Sequence, residues 1–300
     1  MYYFVYFLLY LFSLLPWFII YGISDFLYII IYRLFGYRKK VVMSNLKTAF
    51  PERSESERIK IANEMYHQLI DTFLETIKLI SISKEELNKR FVCNYEVVND
   101  LFESGQNVQL HGGHFFNWEY VNLAYCANLN YPFIGVYQPM SSKVMDKIMY
   151  KMRAKFGTHL IPVNNFNRGF VKLSRGRYVL TLGGDQNSID MLNSYWIPFF
   201  GKMAPFVTGP ERMSVAKNTA IVFSTTYRIK RGYYRSELSL YSTEPKTLPK
   251  GEITIAFRNF LEDQIRQRPS NYLWTHKRWK RKYEADRYED ITLEKITSKV

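Results

Sequence analysis

The first thirty-odd residues constrain this chain most. From Tyr2 to Tyr32 the only charged side chain is Asp25, and about 20 apolar residues suffice for a helix to cross a bilayer. The pattern predicts a membrane helix over Tyr2 to Tyr21, kinked near Pro16. A break at Gly22-Ile23-Ser24-Asp25 should follow, and then a second apolar helix near the interface from Phe26 to Phe35. A cleaved export signal does not fit, because no basic residue precedes the run, the run is too long, and no small-residue cleavage site follows it. Arg33, Arg38, Lys39 and Lys40 come directly after the run. The positive-inside bias then leaves the rest of the chain on the cytoplasmic side, with the basic cluster placed to meet anionic headgroups. Two other readings stay open: a helical hairpin buried in a soluble fold, and a monotopic anchor that dips into one leaflet.

The chain has 300 residues. That is room for an anchor with its basic segment over residues 1–40 and one domain with a sizeable core over 41–300. Its 41 Lys and Arg against 27 Asp and Glu leave a net charge of +14, which calls for an anionic partner or surface. Beside a membrane segment that partner is anionic lipid, and nucleic acid is not expected. Cys93 and Cys126 cannot build a disulfide framework, and no C-x-x-C occurs. Both read as structural thiols in a reducing compartment.

Downstream, Ser54-Glu55-Ser56-Glu57 has the form of a capping box. Ile59, Ala62, Tyr66, Leu69, Phe73, Ile77 and Ile80 then follow at helical spacing as a core-facing stripe. Strands are expected at Val108–Leu110, Phe133–Tyr137, His159–Val163, Tyr178–Leu182, Thr219–Arg228 and Glu237–Ser242. Helices are expected over Phe115–Leu123, from Met145 to Phe156, over Phe166–Leu173 and over Ile253–Arg266. Alternating strands and helices imply an α/β domain with a mixed central sheet flanked by helices. Ligand sites in such sheets gather beyond the carboxyl ends of the strands. His114 follows Gly112-Gly113 after one strand, and Asp185 follows Gly183-Gly184 after another, so the two turns outline one cleft.

His114 and Glu119 form an H-x4-E arrangement. Acyl transfer to a hydroxyl needs a base to take its proton, which neutral imidazole does near pH 7. A carboxylate that fixes the tautomer assists it. Five residues apart within one helix would put the two side chains on different faces, so His114 must sit at or before a helix start with Glu119 in the first turn. The alternative is a histidine at a helix cap with an unrelated surface glutamate. His111-x-x-His114 raises zinc, but no H-E-x-x-H or Cys/His cluster accompanies it, and no metal is expected.

The run from His114 to Glu119 resembles the H-x4-D/E block of the glycerolipid acyltransferase superfamily, and more closely the late (lauroyl/myristoyl) acyltransferases of bacterial lipid A synthesis. Gly135-Val-Tyr-Gln-Pro139 resembles that family's second block, followed by Asp146 and Arg153. Gly183-Gly-Asp-Gln186 with Ile197-Pro-Phe-Phe-Gly201 resembles the third, and Leu273-Trp-Thr-His-Lys-Arg-Trp-Lys280 the C-terminal signature. The likeness runs from about residue 1 to 282. It departs at Gln138, where the family usually carries a basic residue, at Ser141-Ser142-Lys143, where Asn is common, and at the Gly pair that replaces a Pro before Asp185.

The resemblance implies transfer of a fatty acyl chain from an acyl carrier protein thioester, or acyl-CoA, to a hydroxyl of a membrane-bound lipid A precursor at the inner membrane. No cofactor is implied. His114 is then the base and Glu119 orients it. Arg153 and Lys143 bind phosphate or carboxylate, Asp185 and Gln186 position Arg153 or the acceptor, and backbone amides near Gly112 and Gly113 meet the oxyanion. Lys277, Arg278, Lys280, Arg281 and Lys282, interleaved with Trp274 and Trp279, form a basic–aromatic patch facing headgroups or an acidic carrier. Two alternatives remain: the same chemistry on a lysophospholipid, glycolipid or amino-acid lipid, and a non-catalytic membrane-anchored basic scaffold that binds anionic lipid or nucleic acid.

Overall fold

The computed structural model describes residues 1–187 and 191–293. At its centre is a seven-stranded mixed sheet in the order β1-β9-β8-β2-β5-β3-β4. The strands are β1 (Phe91–Cys93), β2 (Val108–Gly112), β3 (Phe133–Tyr137), β4 (His159–Pro162), β5 (Val179–Gly183), β8 (Ala220–Lys230) and β9 (Tyr233–Ser242). Every pairing is parallel except that of β8 with β9. A separate antiparallel hairpin joins β6 (Ser194–Phe199) to β7 (Lys202–Val207).

Successive strand side chains point to opposite faces, and β8 shows this directly. Ala220 and Val222 face one core with Val108 and Leu110 of β2 and with Tyr120, Leu123 and Ala124 of α7 (Trp118–Asn128, numbered by its place in the chain). Ile221 and Phe223 face the other, with Ile253, Phe257 and Leu261. The helices before α7 are α1 (Tyr2–Leu14), α2 (Trp17–Tyr28), α3 (Lys39–Ala49), α4 (Glu55–Lys78), α5 (Lys84–Arg90) and α6 (Glu96–Glu103). Those after it are α8 (Lys143–Arg153), α9 (Phe166–Leu173), α10 (Gly209–Lys217), α11 (Glu252–Gln267), which carries Ile253, Phe257 and Leu261, and the short α12 (Ala285–Tyr288).

Several expected elements form where the pattern placed them. The sheet is mixed and flanked by helices, β3 and α9 have the expected limits, and the Ser54 capping box starts α4. Other expectations change. The apolar N-terminus breaks at Leu15-Pro16, because proline has no amide to continue a helix. No break occurs at Gly22, and α2 runs on through a π-helical turn over Ile29–Leu34. Trp17–Leu34 is thereby a run long and apolar enough to cross a membrane by length and composition. On α4, Phe73 and Ile59 are exposed, whereas the polar Asp71, Thr72 and Glu75 are buried. Helix α2 covers α4 on the flank where Asp71 and Glu75 find partners, in Ser24 and Tyr21.

Candidate active site

Strand β2 lies between β5 and β8, in register such that Gly112 pairs with Gly183 on one side and Ser224 on the other. The turns after β2 and β5 therefore emerge side by side at the carboxyl edge of the sheet. Along β2, Gln109 and His111 turn toward the α11 side. There Gln109 Nε2 lies 2.9 Å from His111 Nε2 and donates to the Pro210 carbonyl at 2.7 Å. Burial holds the His111 pKa down to about 4, so it stays a neutral core group. One turn further along, the chain brings His114 out over the end of β5.

Glycine lets the chain cross closely here. A Cβ on Gly183 would lie 3.1 Å from His114 Cε1, so the ring would have to give by a few tenths of an ångström, and one on Gly113 would lie 2.6 Å from Leu261 Cδ1, so that side-chain end would have to shift. The two Gly-Gly turns expected to outline one cleft do stand together.

What meets the His114 ring is Asp185. Its Oδ1 lies 2.6 Å from His114 Nδ1, and its Oδ2 accepts the His114 backbone amide at 2.9 Å. Asp185 is fully buried. Burial alone would raise its carboxyl, but the imidazole charge, the His114 hydrogen bonds and the Tyr272 hydroxyl hold its pKa at about 2. Because Asp185 is an anion, Nδ1 must carry the proton, which leaves Nε2 without a hydrogen-bond partner among the described residues and the ring partly open to the cleft. Burial would lower the His114 pKa, yet the adjacent Asp185 charge and hydrogen bond more than offset it and raise the pKa above its ordinary value.

Glu119 does not meet His114 as expected. His114 does precede the helix, and Glu119 sits in the first turn of α7, capped by Asn117, whose side chain accepts the Glu119 amide. Its carboxylate faces Arg153 at the end of α8. Arg153 Nε donates to Oε2 at 2.9 Å and Nη2 donates to Oε1 at 2.5 Å. Trp118 Nε1 adds a bond to Oε1 at 3.2 Å. The planar fork of an arginine guanidinium suits such a two-point grip. The carboxylate on the imidazole comes from a different strand end altogether.

His114, Glu119, Arg153, Gly112 and Gly113 line one cavity of about 320 Å³. Its wall mixes apolar groups such as Trp118, Phe133 and Leu160 with Thr181, Ser224 and Gln138. Asp185 stands behind His114, outside the lining. Lys143 is exposed at the opposite end of α8 from Arg153 and does not line the cavity. Gln186 does not line it either.

The C-terminal signature proves to be a brace for the His114 turn. The Phe116 amide donates to the Asn271 carbonyl and the Leu273 amide to the His114 carbonyl, each at 3.2 Å, and Phe115 bridges Tyr272. Asn45 Nδ2 then ties the Trp274 and His276 carbonyls to α3. The basic–aromatic patch is correspondingly smaller than expected. Trp274 and Arg278 are buried, and Arg278 donates to Asn187 and to the Pro205 carbonyl. Lys277, Lys280, Arg281 and Lys282 remain exposed.

Behind the site lies a group that sequence patterning had no signal for. Glu75, in the last turn of α4, is buried and accepts from Tyr234 Oη at 2.5 Å and from Asn117 Nδ2 and Tyr21 Oη, each at 3.0 Å. Asn117 thereby links the start of α7 to α4.

Comparison with known proteins agrees with this architecture. The family model described as bacterial lipid A biosynthesis acyltransferase matches residues 1–281. The chain is 24% identical over 274 residues to the lipid A biosynthesis lauroyltransferase of Escherichia coli K12, covering 90% of this chain and 88% of that protein. It is 23% identical over 249 residues to the lipid A biosynthesis palmitoleoyltransferase of the same organism, covering 81% and 79%. A lipid A biosynthesis acyltransferase of Shigella flexneri aligns with the same identity and coverage. With its N-terminal segment and residues up to 281 inside that match, the chain belongs to the bacterial lipid A biosynthesis acyltransferase family and is an acyltransferase of lipid A synthesis.

Proposed function

We propose that this chain moves a fatty acyl chain from an acyl carrier protein thioester to a hydroxyl of a lipid A precursor, at the cytoplasmic face of a bacterial inner membrane, with acyl-CoA as the other donor to test. The observation that carries the reading is the fixed tautomer of His114. With Nδ1–H donated to Asp185 at 2.6 Å, Nε2 is the basic nitrogen and opens toward the cavity.

His114 Nε2 takes the proton of the acceptor hydroxyl as its oxygen attacks the thioester carbonyl. The tetrahedral intermediate collapses with cleavage of the C–S bond, and the departing thiolate takes the proton back from the imidazolium. Asp185 orients the ring and steadies the imidazolium, the part a carboxylate plays in a catalytic triad. It takes the role expected of Glu119. The amides of His114, Phe115 and Phe116 are already donated, to Asp185, Gly113 and Asn271, and Gly112 is a strand residue paired on both sides, which makes the Gly113 amide the better candidate for an oxyanion contact. Glu119 holds Arg153 at the cavity wall, where its guanidinium is placed to meet a phosphate of donor or acceptor.

The test is acyl transfer from radiolabelled acyl carrier protein to a tetra-acylated lipid A precursor, with acyl-CoA run in parallel. His114→Ala should lose at least about a hundredfold. Undiminished transfer by that variant overturns the mechanism. If wild type is inactive on this acceptor and active on a lysophospholipid, the acceptor assignment is overturned. An acidic carrier attracted to the net charge of +14 should bind less well as salt rises.

A further inference from the structure

The apolar N-terminal segment is not free to leave the domain. Its contacts with α4 form an antiparallel ladder. Tyr21 Oη donates to Glu75 at 3.0 Å, Ser24 Oγ to Asp71 at 2.6 Å, the Tyr28 ring stacks on His67, and Tyr32 packs on Tyr66. Asp25, the one acidic residue in the segment, is gripped by Arg231 of the β8–β9 turn, which also holds Asp71 at 2.7 Å. Helix α1 is held in the same way. Lys78 Nζ donates to the Leu15 carbonyl and Ser81 Oγ to the Ser13 carbonyl, while Lys147 and Lys151 of α8 lie over the rings of Tyr2 and Tyr6.

The opposite flank of the same segment is bare and apolar. Phe4, Phe7, Leu11, Phe18, Phe26 and Ile29 are all exposed, at spacings that keep them on one side of their helices. A bilayer-crossing helix needs lipid or other buried helices around the whole of its middle. Here the middle is clamped to Arg231, Asp71, Glu75 and Lys78, so crossing would carry these groups and the sheet turn behind them into hydrocarbon. A segment lying lengthwise needs no such burial: the charged flank stays with the domain and the apolar flank enters the lipid. At its end Leu34 and Phe35 are exposed, followed by Arg33's neighbours Arg38, Lys39 and Lys40. Arg38 Nη1 donates to the Thr275 carbonyl at 3.1 Å, which joins this cluster to exposed Lys277, Lys280, Arg281 and Lys282. Two basic stretches far apart in sequence thus form one surface beside the apolar stripe, a complement to anionic headgroups.

We propose that Tyr2 to Phe35 lies embedded along one leaflet of an anionic bilayer and does not cross it, so that both ends of the segment and the catalytic domain share one side. This rests on the reading of the chain as a membrane enzyme.

Single cysteines at Phe4, Leu11, Phe18, Phe26 and Leu34, all exposed, would carry nitroxide labels on the full-length protein. It would be added to preformed vesicles of phosphatidylethanolamine and phosphatidylglycerol. Wild type, whose Cys93 and Cys126 are only partly exposed, serves as the labelling blank. Oxygen and nickel-chelate collision rates give the depth of each label, and external ascorbate reports the side. The expected result is that all five labels sit within the outer leaflet, with Phe4 and Leu34 positions both reduced from outside. A depth profile that passes through the bilayer centre, with one end protected from ascorbate, overturns the proposal while leaving a membrane enzyme. Labels that stay in water at every position overturn it together with the membrane reading, whatever the acyl-transfer assay shows.

Discussion

Asp185 holds His114 at two points, accepting the ring Nδ1–H at 2.6 Å and the backbone amide at 2.9 Å. One carboxylate therefore fixes the tautomer, the rotamer and the path of the chain around the histidine. Since Asp185 raises the His114 pKa, the neutral base exists only above a pKa higher than about 6.5.

Asp185→Asn should thus lower kcat by on the order of 10²–10⁴ and move the acid limb of the pH–kcat/KM profile to lower pH, because burial then acts on His114 unopposed. A profile whose acid limb stays at its wild-type position would sink the pairing.

Glu119→Gln separates the two carboxylates. It leaves the acid limb in place, since Glu119 is bonded to Arg153 and not to the imidazole. It should weaken the fold by about 1–3 kcal/mol, less than a fully buried pair, because the Arg153 side chain keeps 20% of its exposure. Thermal unfolding and the pH profile, measured on the same variant, check both halves. A shifted acid limb would return Glu119 to the histidine.

Gly183→Ala places a methyl group 3.1 Å from His114 Cε1. The ring must yield by a few tenths of an ångström, and misplacement on that scale costs catalysis more than stability. The expected outcome is a fall in kcat of about 10- to 100-fold with a nearly unchanged Tm. Wild-type turnover would show that the crossing has slack.

These contacts show how far the sequence alone could be read. The sheet and most of its strands follow from hydrophobic patterning, and the twin Gly-Gly turns correctly pointed to one cleft because parallel strands end at one edge. The partner of His114 was not legible. Spacing along a chain reports what shares a helix, whereas Asp185 reaches the ring only through the register of β2 against β5. Glu75 was hidden for a related reason: a carboxylate on an amphipathic helix reads as solvent-facing until the hydroxyls and amide that receive it converge from α2, β9 and the start of α7. The hairpin of β6 and β7 went unseen because its burial is nearly continuous and so lacks the alternation that marks a strand.

Glu75 provides a test through stability. Burial is the main cause that raises its pKa, to about 7 from an ordinary 4.5, against the lowering effect of the Tyr234, Asn117 and Tyr21 hydrogen bonds. The folded state then holds a proton that the unfolded chain releases between those two values. Stability due to this group is full below about 4.5 and falls as pH rises through 7, a loss of up to about 3 kcal/mol. Glu75→Gln removes the titration while keeping an oxygen to accept from its neighbours. The variant should match or trail wild type at pH 5 and exceed it at pH 8, with Tm higher by several degrees. Melting curves at the two pH values decide the matter: an equal offset at both would mean that Glu75 does not titrate with folding, and that its three donors hold it ionised throughout.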